Sequence, residues 1–322
     1  MRIAWASIAL LCSTLPSVVL ATSPDLARTF RVDCDARRQT IGAALRRAHD
    51  GDTIVVRGRC RESLVIDKGV VLEGGGRASI APADPAENTL DITARNVTIR
   101  GFSLEAPAFF QIFVQNGATV LVESNTIRNA ARFGVSVASN AVATLTDNEL
   151  SDNQLGGMIG LTGAQLVVGV RSVFEPPLPN TFRGTANTGI GIVVVGGAGA
   201  TILGGNLITG HNLGILVQDA SNARIAGNLI DGNRIGVLVD HGGSVELPTV
   251  GNAVAAFNEL NSGVNLQFGI ACKGGNVVGV LDGLRPGVRL PPAPGVLGGP
   301  LDGLPTHCLD QTQTLVPPGS PN

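Results

Sequence analysis

Side chains that can hold or transfer charge recur in this chain at fixed distances after a repeated asparagine. Arg183 and Asp231 come three residues after it, and His211 comes five residues after it. An arginine or a histidine can act as the base in β-elimination of a sugar acid, while another arginine neutralises the carboxylate. The spacing predicts a catalytic group of Arg183, His211 and Asp231, with a solvated polar turn face as the alternative.

The same offsets provide further polar side chains for contact with a substrate. Arg128 lies three residues after the asparagine, Asn153 and Asn233 lie five after it, and Asp152 lies between the two offsets. Arginine forks suit carboxylates and do not require aromatic rings. We therefore expect Arg128, Asp152, Asn153 and Asn233 to contact an acidic polysaccharide.

The asparagine itself marks a repeat with intervals of 22 to 32 residues, of which the longest is one enlarged copy. Its members are Asn125, Asn148, Asn180, Asn206, Asn228 and Asn252. Short runs of Val, Ile and Leu alternate with other residues in each copy, without a helical period. A unit this small cannot bury its apolar side chains alone, so coils must stack at about 4.8 Å. The repeat predicts a parallel β-helix.

Alternation also predicts which side chains point into the core of the coils. The expected inward positions lie three and five before the asparagine and two after it: Val122 and Val120, Leu145 and Ala143, Leu203 and Thr201, Ile225 and Ala223, then Ile127, Leu150, Phe182, Ile208 and Ile230. We interpret the asparagine as structural, because it tolerates a left-handed corner and can link side-chain amides from coil to coil.

Composition restricts the partners that the protein can have. The net charge is −2, 44% of the residues are hydrophobic and 15% are charged. This balance gives no electrostatic reason to bind nucleic acid or an anionic membrane. Tyr is absent and the single Trp is Trp5, so stacking against neutral sugars has few aromatic faces available.

The N-terminus is typical of an export signal. Arg2 precedes an apolar stretch over 3–20, and Val19-Leu20-Ala21 places small residues at a cleavage position. Ser, Thr and Pro within the stretch disfavour the alternative of a membrane anchor. We expect a signal peptide over 1–21, a β-helix domain with an N-terminal cap over 22–275, a Pro/Gly-rich tail over 276–322, and a secreted or periplasmic location.

Four cysteines remain after the predicted cleavage, two near each end of the repeats. In an oxidising compartment they suggest the bridges Cys34–Cys60 and Cys272–Cys308, although four cysteines allow three connectivities. No pair has the Cys/His spacing of a zinc site, so we expect no metal and no cofactor.

The segment before the repeats resembles the entry of the pectin-lyase-like superfamily. Ile41, Ala44, Leu45 and Ala48 mark one face of a short capping helix, and Gly51-Asp52-Thr53-Ile54 begins a strand. Leu72-Glu73-Gly74-Gly75 matches the glycine cluster of that family. The later N-x-I…N-x-x-G-I units are similar to its carbohydrate-binding and sugar-hydrolase repeats. The resemblance covers residues 38 to 270 and implies an all-β, right-handed parallel β-helix.

Two classes of function follow from these observations. The first is a protein that binds an acidic polysaccharide and, at most, processes it as a lyase or epimerase does. The second is a non-catalytic scaffold or accessory protein, including a periplasmic role like that in nitrous oxide reductase maturation. The paired aspartates, Gly-His-Gly and Arg-Ile-Lys of polygalacturonase-like enzymes are absent, so whether the protein is an enzyme stays open.

One outer face of the predicted coils is apolar and requires cover. Its expected members are Ser136, Ile159, Gly191, Leu216 and Leu238. The enlarged repeat over 170–179 or the tail from Asp282 can lie against this face. The alternative is a partner protein or a homo-oligomer contact.

Overall fold

The computed structural model describes residues 27–36, 39–172, 175–186, 188–247, 259–260, 268–273, 275–279 and 306–307. The predicted signal peptide, Asn252, Cys308 and most of the predicted tail lie outside the described residues. Within the described ranges, no helix has the length and apolar character needed to cross a membrane.

The described chain consists of one helix and short strands. The opening elements are β1 (Thr29–Asp33), α1 (Ile41–Arg47), β2 (Thr53–Arg57), β3 (Arg59–Arg61), β4 (Leu64–Ile66), β5 (Val71–Ala81), β6 (Leu90–Ile92), β7 (Val97–Leu104) and β8 (Ile112–Val114). The next are β9 (Thr119–Glu123), β10 (Thr126–Arg128), β11 (Phe133–Val137), β12 (Val142–Thr146), β13 (Glu149–Ser151), β14 (Gly156–Gly160), β15 (Gln165–Val168), β16 (Thr181–Arg183) and β17 (Ile190–Val194).

The remaining strands complete the stack. They are β18 (Gly199–Leu203), β19 (Leu207–Thr209), β20 (Leu213–Val217), β21 (Asn222–Ala226), β22 (Leu229–Asp231), β23 (Ile235–Asp240), β24 (Ser244–Leu247), β25 (Glu259–Leu260), β26 (Phe268–Lys273), β27 (Asn276–Gly279) and β28 (Thr306–His307).

From β9 onward, each coil has three strands that pair in parallel with their counterparts in the coils before and after. The first strand of a coil is exemplified by β12, the short strand by β13, and the third strand by β14. The third strands form a nine-stranded sheet that begins at β4 and ends at β26, so the described chain makes nine coils. The prediction of a parallel β-helix is confirmed.

The core is a column of aliphatic side chains enclosed by the coils. Ile127, Leu150, Phe182, Ile208 and Ile230 stand in register on the short strands, and each is 0% exposed. The predicted inward positions Val122, Leu145 and Ile225 are buried in the same way. Because parallel strands stack identical positions, an apolar residue in one coil packs on its equivalents in the next.

Two of the predicted inward residues are wrong. Ile202 and Ala200 occupy the inward positions of β18, in register with Val168 and Leu166, instead of Leu203 and Thr201. The pair Gly204-Gly205 adds one residue before Asn206. A shift of one residue reverses the face of every side chain on a strand, so counting back from the asparagine fails in this coil.

The N-terminal end is closed by α1 and a disulfide. Thr40 caps the helix through its hydroxyl, and the Glu62 carboxylate accepts hydrogen bonds from the Ile41 and Gly42 N–H groups at 2.7 and 2.9 Å. The buried residues Ile41, Ala44 and Leu45 face the core. Cys34 and Cys60 form a disulfide with a Cα–Cα distance of 5.1 Å, as predicted. The end of the core is thereby protected from water.

The C-terminal end extends the ladder of paired strands beyond residue 275. The strand β27 pairs with β24 in parallel and with β28 in antiparallel orientation. Cys272 lies in β26, and Cys308 lies outside the described residues, so the Cys272–Cys308 bridge stays a prediction. The domain boundaries also stay predictions.

The outer face of the nine-stranded sheet is apolar, with one change from the predicted set. Ser136, Ile159, Val193, Leu216 and Leu238 stand in register. Val193 therefore takes the place predicted for Gly191. Two residues before this position, the third strands carry a column of glycines in register: Gly134, Gly157, Gly191, Gly214 and Gly236.

The enlarged repeat covers a different part of the surface from the one expected. Val170 packs with Leu203 and Ala226, outside the core and away from the nine-stranded sheet. Arg171 pairs with Glu123, which is in register with Thr146 of the following coil. The described part of this segment therefore fastens the corner between the first and short strands.

The repeated asparagines form a continuous ladder of buried amides. The Nδ2 group donates to Oδ1 of the next asparagine at 3.0 Å from Asn125, 2.9 Å from Asn148 and Asn180, and 2.7 Å from Asn206. Each Nδ2 also donates to a backbone carbonyl of the preceding coil, as Asn148 does to Val122 at 2.8 Å. The predicted linkage between amides is confirmed.

The predicted left-handed backbone belongs to a neighbouring residue. Ser124 and Asp147, each directly before its asparagine, have φ values of 54° and 56°. Gly205 and Gly227 occupy the same position before Asn206 and Asn228, with φ values of 83° and 66°. At these four corners the asparagine supplies the hydrogen bonds while the residue before it makes the turn.

Replacement of a ladder asparagine should destabilise the protein. Asn148→Leu removes the acceptor of the Asn125 backbone N–H and the donor to Val122, leaving both buried groups unpaired. We expect the free energy of unfolding to fall by about 3 kcal/mol, measured by denaturant unfolding. The control is Asn222→Leu at an exposed position of β21. Equal midpoints for the two variants would contradict a structural ladder.

Candidate functional site

The polar residues three after each asparagine do stand in one column that faces away from the core, although Ser151 within it is buried. Register on the short strands runs from Arg128 through Ser151, Arg183 and Thr209 to Asp231. Arg183 and Asp231 are therefore two coils apart, or about 9.6 Å along the stack, with Thr209 between them. The column extends along the coils and does not converge on one atom of a substrate.

The two arginines of this column differ in their availability. Arg128 pairs with Glu149 at 2.6 Å, and its side chain is 35% exposed. Arg183 is exposed, and no hydrogen bond or ion pair joins it to another described residue. An unpaired guanidinium retains all its donors for an anion. Arg183 is the member of the column best able to bind a ligand carboxylate.

His211 is not on this outward column and is not exposed. Its side chain is 2% exposed, and neither ring nitrogen has a hydrogen-bond partner of good geometry in the described part of the chain. Burial lowers the pKa of His211 to about 4, against a smaller opposing effect of the Phe182 and Thr188 backbone. Its predicted outward placement beside Arg183 and Asp231 is wrong.

A column of glycines explains why His211 turns inward. A Cβ atom on Gly191 would lie 2.7 Å from Ile208 and 3.2 Å from the His211 ring, and one on Gly184 would lie 2.6 Å from Nδ1. The missing side chains leave a space between the short strand and the third strand. The imidazole fills that space, where no polymer can reach its nitrogens.

Two predicted substrate-binding residues turn inward for the same reason. Asn233 is 0% exposed, accepts the His211 backbone N–H at 2.9 Å and donates to the Ile208 carbonyl at 2.8 Å. Asn153 is half-buried and makes the equivalent bonds to Ala130 and Ile127, at 3.0 and 3.2 Å. Their predicted outward placement is wrong, because their amides satisfy the backbone at the second corner of the coil.

Asp152 does lie on the surface. It is exposed, has a φ value of 55°, and accepts a hydrogen bond from the Thr185 hydroxyl at 2.7 Å. It stands one residue after the outward column and adds negative charge there. The side chains brought together on the surface are therefore Arg128, Asp152, Arg183 and Asp231.

The structure also collects aromatic residues that the repeat does not reveal. Phe109, Phe110 and Phe113 contact one another, with ring centroids 4.8 and 5.5 Å apart. The Arg132 guanidinium lies 5.2 Å from the centroid of the Phe109 ring. Three phenylalanines within five residues were the available sequence signal, but they occur in one coil and so escape a search by repeat offset.

In the described ranges, no three His, Cys, Asp or Glu residues lie close enough together to hold a metal ion.

Comparison with known proteins agrees with this architecture. The family described as right handed beta helix region matches residues 86–276, which is more than half of the chain. The chain belongs to this right-handed β-helix family. No curated protein matches this chain.

Solved structures similar to this chain are distant in sequence. Tailspike protein 2 of Escherichia coli O157:H7 bacteriophage CAB120 is 12% identical with a TM-score of 0.56, over 78% of this β-helix protein and 38% of the tailspike. Pectate lyase Pel9A is 12% identical with a TM-score of 0.46, over 77% of this chain and 74% of the lyase. Alginate lyase from Paenibacillus sp. str. FPU-7 is 12% identical with a TM-score of 0.42, over 78% and 95%. At 12% identity, the similarity to the tailspike shows the fold alone.

The buried His211 should make stability depend on pH. Its pKa is about 4 in the folded protein against an ordinary value of 6.5, so the unfolded chain binds the proton more tightly. Stability from this residue is complete above pH 6.5 and is lost as the pH falls towards 4, by about 3 kcal/mol.

His211→Asn should reduce that loss, since the neighbouring coil already holds Asn233 at this position. Denaturant unfolding of wild type and variant at pH 7 and pH 4 measures the difference. His241→Asn is the control, because the His241 side chain is 72% exposed. Identical pH dependence in all three proteins would contradict a buried, neutral His211.

Proposed function

We propose that this β-helix protein is exported and binds an acidic polysaccharide along the outward column that contains Arg128 and Arg183. The observation that carries the proposal is Arg183, an exposed guanidinium in register with a second arginine two coils away. Polymers with regularly spaced carboxylates match a surface whose charges are spaced by stacked strands. A guanidinium binds a carboxylate through two parallel hydrogen bonds.

The export part of the proposal is supported by the cysteine chemistry. Cys34 and Cys60 are disulfide-bonded, and disulfides of this kind persist mainly outside the reducing cytoplasm. The predicted signal peptide over 1–21 agrees with this location. A secreted or periplasmic protein would meet the polysaccharides of cell envelopes.

The proposal is limited to binding. His211 was the histidine expected to act as base, and its buried ring leaves Arg183 and Asp231 without a histidine beside them. A general base must come within hydrogen-bond reach of the proton that it removes. Binding requires only the exposed arginine, so it is the function that the described geometry supports best.

A scaffold role is the second candidate, and a separate surface favours it. On the outer face of the nine-stranded sheet, Ile159 and Leu238 are partly buried and pack against a buried apolar cluster that includes Val193, Leu216 and Ile235. The part of this apolar surface that stays accessible can serve as a protein contact. A partner protein or a second copy of the chain would bind there without involving Arg183.

Arg183→Ala should weaken binding to a uronate polymer. We expect about a tenfold loss of affinity for polygalacturonate or alginate, since one charge-assisted hydrogen-bond pair is removed at an exposed site. Added salt should weaken wild-type binding, because exposed charges are screened.

The control is Arg95→Ala, which removes an exposed arginine from another corner of the coils. Affinity is measured by calorimetry with the neutral polymer dextran alongside. If wild type binds neither uronate polymer, the scaffold role replaces the binding role. If Arg183→Ala binds as tightly as wild type, the arginine column is not the binding surface.

A further inference from the structure

We propose that Phe109, Arg132 and Leu155 form a subsite for one sugar-acid residue of the polymer. These three residues are called the Phe–Arg–Leu ridge below. The inference deepens the proposed function and rests on it, because it assumes an acidic polysaccharide as ligand. It assigns a second contact surface that lies outside the Arg128–Arg183 column.

The ridge lies at the turn between the short strand and the third strand on three successive coils. The Arg132 N–H donates to the Phe109 carbonyl at 3.2 Å, and the Leu155 N–H donates to the Arg132 carbonyl at 2.9 Å. These backbone bonds stack the three residues directly above one another. The rigid ladder of strands therefore sets their spacing at about 4.8 Å per coil.

Exposure singles out the ridge from the rest of the surface. Phe109 is 38% exposed and Leu155 is 41% exposed, and together with Val65 they are the exposed large apolar residues of the described chain. Two of these three therefore flank a single exposed arginine. The backbone bonds stack Phe109, Arg132 and Leu155 on successive coils, so the two exposed apolar side chains stand in one column and are not scattered.

The aromatic side of the ridge is held in place before any ligand arrives. The edge of one ring meets the face of the other between Phe109 and Phe110, at an interplanar angle of 74°, and Phe110 in turn contacts Phe113. The Arg132 guanidinium rests 5.2 Å from the Phe109 centroid. No ion pair joins Arg132 to an acid among the residues that the structure describes. Its donors are positioned yet uncommitted, which reduces the entropy lost on binding.

A sugar acid has the chemistry that this arrangement recognises. Its ring presents apolar C–H groups on one face, which pack on an aromatic or aliphatic side chain, and its carboxylate projects from the ring edge. Arg132 supplies a planar fork for that carboxylate between two apolar neighbours. A neutral sugar would leave the guanidinium unused.

The position of the ridge connects it with the proposed binding column. Arg132 follows Arg128 by four residues in the same coil, just past the turn residue Asn129, and Leu155 follows Asp152 in the next coil. A polymer chain held by Arg183 can therefore continue onto the ridge without crossing the apolar outer face. The two sites together would bind several adjacent sugar-acid residues of one polymer chain.

Substitutions on the ridge test the inference with polygalacturonate oligomers as the probe. Arg132→Ala should weaken binding about tenfold, and Phe109→Ala roughly threefold. The matched controls are Arg95→Ala and Leu121→Ala, where Leu121 faces outward on a first strand; both should bind as wild type does. Arg132→Lys keeps the charge but loses the planar fork, so it should recover binding only in part.

Phe109→Trp adds a fluorescent reporter at the ridge. The native chain has no Tyr and only Trp5, so the new indole dominates the emission of protein lacking the signal peptide. Binding of the oligomer should be retained and should shift this emission. Anionic phosphatidylglycerol vesicles serve as the comparison, because a lipid surface offers negative charge beside apolar groups.

The outcomes separate this inference from the proposed function. If wild type binds no uronate oligomer, both are overturned. If Arg183→Ala weakens binding while Arg132→Ala and Phe109→Ala match wild type, the ridge is overturned and the proposed function stands. Weakening by the ridge variants alone supports the ridge and moves the binding surface away from Arg183. Emission that responds to vesicles and not to the oligomer overturns the sugar-acid assignment.

Discussion

The hydrogen bonds of the asparagine ladder are the constraint on which the rest of the structure depends. Each corner between a first strand and a short strand removes a backbone N–H and a carbonyl from the sheet, and buried groups of this kind need partners. The Asn148 amide provides them, and it also bonds to Asn180. Because the backbone groups of the corner are hydrogen-bonded, every short strand begins at the equivalent position of its coil. The outward column is straight for that reason.

The column of glycines is the second constraint, and it decides which polar side chains reach solvent. Gly191 and Gly214 would each place a Cβ within 2.9 Å of an isoleucine on the neighbouring short strand. The space left beside them receives His211 and Asn233. Residues three after the asparagine, such as Arg183, have no such space and point outward. Surface chemistry on this side of the coils is thus a product of packing inside them.

The period, the core and the ladder could be predicted from the sequence because they repeat. Ile127, Ile208 and Ile230 recur at one offset, and each recurrence confirms the others. The inward position predicted for Leu203 was wrong because one additional glycine reversed the strand faces. A period averaged over coils does not detect a single insertion. The outward placement predicted for His211 and Asn233 was wrong because their orientation depends on glycines in another strand. Phe109 and Arg132 belong to different coils, and only the stacking register brings them together.

The ladder also shows where this chain can change in length. The step from Asn148 to Asn180 spans 32 residues, yet the hydrogen bond between their side-chain amides is 2.9 Å long. The hydrogen bond across the 26-residue step from Asn180 to Asn206 has the same length. The additional residues fall between Gly169 and Asn180, and the Leu178 N–H is bonded to the Gly169 carbonyl at 2.8 Å. Evolution can therefore lengthen the corner that precedes an asparagine without disturbing the stack, and new segments grafted at this corner would inherit a fixed point of attachment.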